Sequence, residues 1–137
     1  MTSALAAEVI KEQVTLAFPG QIVEANDFRL ALEIGAPFLL LLYPPTMHKR
    51  KNVGLPPVWE ESGSFAMRYH IPSGDPIQPA RTVIDDLRLY FNEKQFPASD
   101  GTIVHTIGEF TGYESDEPIG GWYEIHLVVP FWRRYGE

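Results

Sequence analysis

A chain of 137 residues fits one domain at roughly 100–200 residues per domain, and 45% hydrophobic with 12% aromatic residues supplies enough apolar surface to exclude intrinsic disorder along its whole length. The 18 acidic against 11 basic residues give a formal charge of −7, which repels phosphate backbones and argues against nucleic acid as the primary partner. The absence of cysteine excludes disulfides, thiolate nucleophiles and sulfur-ligated metal sites. The longest apolar run, Phe38 to Tyr43, falls far short of the ~18–20 residues a membrane span needs. The start of the chain shows no cationic signal-peptide region.

In chain order, residues 4–18 predict an amphipathic helix, with Ala6, Ile10, Val14 and Ala17 on one stripe and Thr2 or Ser3 as its cap. Phe18-Pro19-Gly20 stops it. Gln21 to Ile34 fits more than one assignment: Ile22-Val23 favours a short strand, Asn26-Asp27 a turn or cap, and Phe28, Leu30 and Leu32 alternate. Pro37 to Tyr43 predicts a strand covered on both faces. Residues 44–57 carry four prolines and the basic group His48-Lys49-Arg50-Lys51 without apolar periodicity, so they are expected to form a long exposed Pro-rich basic loop. Ser64 to Ile71 alternates, with Phe65, Met67, Tyr69 and Ile71 on one face. Pro79 opens a second helix whose apolar stripe is Val83, Ile84, Leu87, Tyr90 and Phe91, and Phe96 to Gly101 is expected to end it. Thr102 to Phe110 and Trp122 to Pro130 predict the two strands of a hairpin. Their connector, residues 112–121, holds acids but no base and is expected to project as an acidic flap.

The candidate chemistry is sparse. His70, His105 and His126 lie in three predicted strands and could converge on a metal, yet no H-x-H or H-x-x-x-H pair occurs, so no metal and no cofactor are expected. Glu60-Glu61, Asp85-Asp86 and the flap acids could form an acid–base pair, but adjacency in sequence does not make two carboxylates face each other, and solvated surface is the expectation. There is no nucleophile elbow and no phosphate-binding glycine loop. No catalytic residue is assigned and an enzyme is not expected. What stands out is surface chemistry: the basic loop, the acidic flap, Trp59, Trp122 and Trp132 beside charges, and the closing Trp132-Arg133-Arg134, a composition enriched at interfaces.

Taken together, these elements predict an α+β fold: a single domain over residues 1–137 with a mixed, largely antiparallel sheet of about four to five strands and two main helices packed on it. Their order resembles the lambda-type phage tail terminator proteins and related tail-completion proteins. The resemblance rests on the opening helix, Glu24-Ala25-Asn26-Asp27-Phe28, the apolar strand ending at Tyr43-Pro44, the alternating strand Gly63 to Pro72, the helix Ala80 to Phe91 and a closing hairpin. It implies a non-catalytic virion protein, assembled in the bacterial cytoplasm, whose six copies form a ring that caps the tail tube and meets the tail-tube and head-completion proteins. A ring joins two different patches of each subunit. The candidate interface is therefore Lys49, Arg50 and Lys51 against Glu114, Asp116 and Glu117, with Trp132, Arg133 and Arg134 beside it. Two alternatives stand: a head–tail joining or minor capsid protein, and a small ligand-binding domain using an open sheet face near Arg68, His70, Glu124 and His126.

Overall fold

The first helix begins where Ser3 accepts a hydrogen bond from the Ala6 N–H at 3.2 Å, so Ser3, rather than Thr2, is the cap. In the computed structural model, which describes residues 2–115 and 117–136, α1 spans Ala4–Ala17. It is followed by β1 (Ile22–Val23), a 3-10 turn (Ala25–Asp27), α2 (Phe28–Ile34), β2 (Phe38–Leu42) and β3 (Met47–Arg50). The second half supplies β4 (Val58–Pro72), α3 (Gln78–Tyr90), β5 (Gln95–Pro97), β6 (Ile103–Thr106) and β7 (Trp122–Gly136). The ambiguous stretch 21–34 thus holds both a short strand and a helix.

The strands form one seven-stranded mixed sheet in the order β1-β2-β4-β7-β6-β5, with β3 beside β4. Only β1 and β2 run parallel. The α+β class holds, but the sheet has more strands than the four to five expected. The additional ones, β1, β3 and β5, span two, four and three residues, too few for a periodic signal. A ribbon of β4 and β7 carries the architecture, paired without interruption from Val58↔Gly136 to Pro72↔Trp122. Along it odd-numbered residues face one side and even-numbered residues the other.

The odd face meets α1 and α3. Ala6, Val9, Ile10 and Val14 of α1 and Ala80, Ile84 and Leu87 of α3 close over Leu39, Leu41, Phe65, Met67, Leu127, Val129 and Phe131. The even face is covered at one end only, where α2 lays Phe28, Ala31 and Leu32 over Phe38 and Leu40. This explains why β2 is apolar throughout: Leu39 and Leu41 serve one core, Phe38 and Leu40 the other.

Three expectations need correction. Residues 44–57 are not wholly loop, because Met47–Arg50 pair antiparallel with Trp59–Ser62; all four are exposed, so an edge strand wetted on both faces leaves no apolar alternation to read. The described residues of 112–121 do not project, and Asp116 lies outside them. Thr111 bridges Val128, Glu114 bridges Ile125 and Ile119 bridges Trp122, laying the segment along β7. Gly112 permits this, since a Cβ there would stand 2.0 Å from the His126 carbonyl oxygen. Gly120 and Gly121, both at positive φ, make the two-residue turn into β7. Finally, Phe96 and Pro97 belong to β5 rather than to a helix terminus, α3 ends at Tyr90, and the strand expected over Thr102 to Phe110 is only Ile103–Thr106.

Candidate functional site

On the even face, at the α2 end of the ribbon, three polar side chains converge on a single carboxylate oxygen, that of Glu124. Register sets them side by side: Arg68 opposes His126 and His70 opposes Glu124. His126 Nε2 lies 3.2 Å from Glu124 Oε1, His70 Nε2 3.5 Å and Arg68 Nε 3.6 Å. This is the group named from the sequence for an open-face ligand site, and the structure brings all four together. His105 does not join them. It stacks on Trp132 at 3.9 Å between ring centroids, six residues along β7 from His126, or about 20 Å at the strand rise. Among the described residues no group of three or more His, Asp or Glu side chains is arranged to hold a metal.

The surroundings of His70 restrict its chemistry. Its ring stacks on Phe38, with Phe28 and Trp122 on its other sides, and it is 2% exposed. Its Nδ1 lies 3.1 Å from the Arg68 carbonyl oxygen, so that nitrogen is assigned the proton. In the neutral ring Nε2 is then an acceptor facing the Glu124 carboxylate, two lone pairs opposed. Burial pushes the His70 pKa below the ordinary imidazole value, outweighing the carbonyl hydrogen bond and Glu124, which raise it. For His126, burial and then the Arg68 guanidinium lower the pKa, against the hydrogen bond and charge of Glu124. Tyr113 packs on the His126 ring at 4.1 Å between centroids, and the Ser115 hydroxyl accepts from the Glu124 N–H at 3.0 Å. Arg68 Nε is buried and has no hydrogen-bond partner among the described residues. The group therefore holds one carboxylate, two imidazoles whose charged forms burial disfavours, and one guanidinium whose hydrogen-bonding needs are not all met.

Above it opens a cleft of about 490 Å³ between α2 and the segment entering β7. Phe28 and Leu32 form one wall and Ile119 and Trp122 the other, with His70 and Glu124 on the floor and Arg29 and Glu33 at the rim. The sequence hid the walls, because Phe28 and Leu32 lay in the unassigned stretch and Ile119 in a segment expected to project.

The interface residues expected from the sequence are dispersed. Lys51 Nζ pairs with Glu60 at 3.5 Å, the Arg50 guanidinium donates to the Gly54 carbonyl at 2.7 Å, and Glu114 pairs with Arg81 at 3.0 Å. Lys49 and Glu117 are exposed and have no ionic partner among the described residues. Asp116 lies outside the described residues. Of the closing group, Trp132 lies under the Arg134 guanidinium at 5.1 Å, and Arg134 also approaches Glu60 at 3.5 Å. Arg133 is no surface residue. It is 4% exposed, because its odd position turns it under α1, where it meets Glu61 at 3.4 Å and Asp100 at 3.3 Å. Glu61 is fully buried and accepts from the Ser3 hydroxyl at 2.6 Å and the Ser3 N–H at 2.7 Å. Burial raises its pKa, but the two Ser3 hydrogen bonds, Arg133 and His48 together bring it below the usual carboxylate range. The signal was present in the sequence: Glu61 continues the phase of Phe65 and Met67, and Arg133 that of Val129 and Phe131.

No family model matches this chain, and no curated protein matches it either.

Proposed function

We propose that this chain is a structural ring subunit of a phage or prophage tail, similar to tail terminators, which caps the tail tube and joins it to the head-completion protein. One observation carries the reading: α1, β2, β4, α3, β6 and β7 follow in the order on which the resemblance rests, and both main helices lie on one face of the sheet. In this reading the protein is not an enzyme and acts by assembly, in a virion tail built in the bacterial cytoplasm. Six copies meet head to tail through two different surfaces, as the family resemblance implies.

Charge supports the same geometry. The exposed Lys49 lies at the β3 end of the ribbon and Glu117 near its other end, beside the turn into Trp122. Fourteen residue steps separate Val58 from Pro72, about 45 Å along the strands. Opposite charges at opposite ends cannot pair within one subunit and can pair between neighbours. The test is tail assembly in a phage or prophage host carrying the gene. Loss of the gene should give tails of uncontrolled length, and the purified protein should form rings at tube ends. Lys49→Glu alone should impair capping, and Lys49→Glu combined with Glu117→Lys should partly restore it. Normal tails without the gene would discard the reading.

A second reading, a small ligand-binding domain, is favoured by His70 and Glu124 on the floor of the cleft, because an apolar cleft with a few convergent polar groups is what a ligand site needs. A thermal-shift screen of small organic acids and bases against wild type and Glu124→Gln separates the two. A stabilising hit lost in the variant, with tails unaffected by gene loss, would establish it.

A further inference from the structure

The β3–β4 connection presents apolar side chains to solvent on an ordered frame. Val53 is fully exposed and Leu55 is 88% exposed. The loop that carries them is tied four times: Lys51 N–H to the Val58 carbonyl at 2.8 Å, Val58 N–H to the Asn52 side-chain oxygen at 2.8 Å, the Asn52 amide to the Pro56 carbonyl at 3.1 Å and the Arg50 guanidinium to the Gly54 carbonyl. At its base His48 Nδ1 meets the Tyr135 hydroxyl at 2.8 Å. Two exposed aliphatic side chains on a chain already fixed in shape lose little conformational freedom on docking. The stem below them is basic, with Lys49 free of ionic partners among the described residues.

The cleft between α2 and the β7 turn is the complement. Its walls, Phe28, Leu32, Ile119 and Trp122, are apolar, its rim carries Arg29 paired with Glu33 at 3.7 Å and its floor Glu124, and the exposed Glu117, two residues before Ile119, adds a carboxylate beside it. Ile119 is itself 60% exposed. The two surfaces lie at opposite ends of the β4–β7 ribbon, so a chain cannot fill its own cleft. We infer that the β3–β4 tip of one copy, through Val53 and Leu55, docks into the α2–β7 cleft of a second copy, with Lys49 facing Glu117 beside that cleft. The inference rests on the ring reading for its partner and names the contact that reading left open. The contact is heterologous and propagates from copy to copy. Alone it covers less than a standard interface of about 1,600 Å², so it is concentration-dependent in solution.

The cysteine-free sequence gives a direct test on the full-length protein. Leu55→Cys and Ile119→Cys proteins, both altered only at exposed positions, are mixed under mild oxidation. Docking raises the effective concentration of one thiol at the other, so the mixed disulfide dimer should form about tenfold or more faster than either homodimer. A mixture of Leu55→Cys with Leu16→Cys, exposed on α1, should show no such excess. Adding Lys49→Glu to the Leu55→Cys protein should slow the reaction. An Ile119 pairing no faster than the Leu16 control overturns the contact, as does a pairing that Val53→Asp leaves unchanged. The outcomes also separate the contact from the ring reading: rings on tail tubes without this cross-link discard only the contact, whereas a rapid cross-link with tails normal in the absence of the gene keeps the contact and discards the tail role.

Discussion

Glu61 and Glu124 are both glutamates of the β4–β7 ribbon, and the fold treats them in opposite ways. Glu61 lies on the helix-covered face, takes two short hydrogen bonds from the cap residue of α1 and faces Arg133 across the ribbon. These contacts tie the start of α1 to β4 and β7, and His48 Nε2 lies a further 3.8 Å from the carboxylate. Glu124 lies on the face that only α2 covers and offers one oxygen to two imidazoles and a guanidinium at 3.2–3.6 Å. A carboxylate becomes a structural tie where it takes short hydrogen bonds from a helix cap, whereas one that two imidazoles and a guanidinium approach only at 3.2–3.6 Å beneath a cleft is left with contacts a ligand can replace.

The largest effect is expected from breaking the matched site. Glu61→Gln leaves Arg133 buried with only Asp100 as counter-charge and should cost about 3–5 kcal/mol. Replacing both residues, Glu61→Met with Arg133→Met, should cost less than Glu61→Met alone, because no uncompensated charge remains. Urea unfolding of these variants together with Arg133→Met alone measures this, and a double-variant cost equal to the sum of the two single costs would mean that the pair is not coupled.

Next comes the packing that makes the covered face rigid. Leu87 is 1% exposed, and Leu87→Ala should lose about 2–5 kcal/mol through lost burial and a residual cavity. On the same helix Asp86 is exposed, and Asp86→Ala should stay within about 0.5 kcal/mol. Similar unfolding midpoints for the two variants would reverse the assignment of the helix faces.

The smallest effect belongs to the unmatched site and appears as pH dependence. His70 and His126 have folded pKa values depressed by burial, so the unfolded chain binds protons that the native one does not, and stability falls as pH drops from about 6.5 towards those lower values. Glu61 has a folded pKa below the carboxylate norm, so its contribution is present above about pH 4.3 and is lost as pH falls through the folded value. Thermal unfolding against pH should therefore decline in two stages. His126→Gln should shrink the first and leave the second. A single decline below pH 4.5 would show that the imidazoles of the open face titrate as they do in the unfolded chain.

Much of the frame was set by the sequence alone: α1 by its stripe and stop signal, α3 by its stripe and opening proline, β2 by its unbroken apolar run, and the inner faces of β4 and β7 by alternation. These are local periodicities, and local sterics with the sign of burial suffice to specify them. The tertiary structure decided the rest. Met47–Arg50 is a strand only because β4 lies beside it, and residues 111–119 follow β7 because Gly112 lets the backbones approach. Arg133 turned from a candidate surface residue into a buried partner because β7 runs on to Gly136 in phase with Phe131. The cleft has walls drawn from α2 and from the turn into β7, elements far apart in the chain. Whether a charge faces water, a buried partner or a second copy depends on which strand end meets which, and that information is held in non-local pairing rather than in any window of residues.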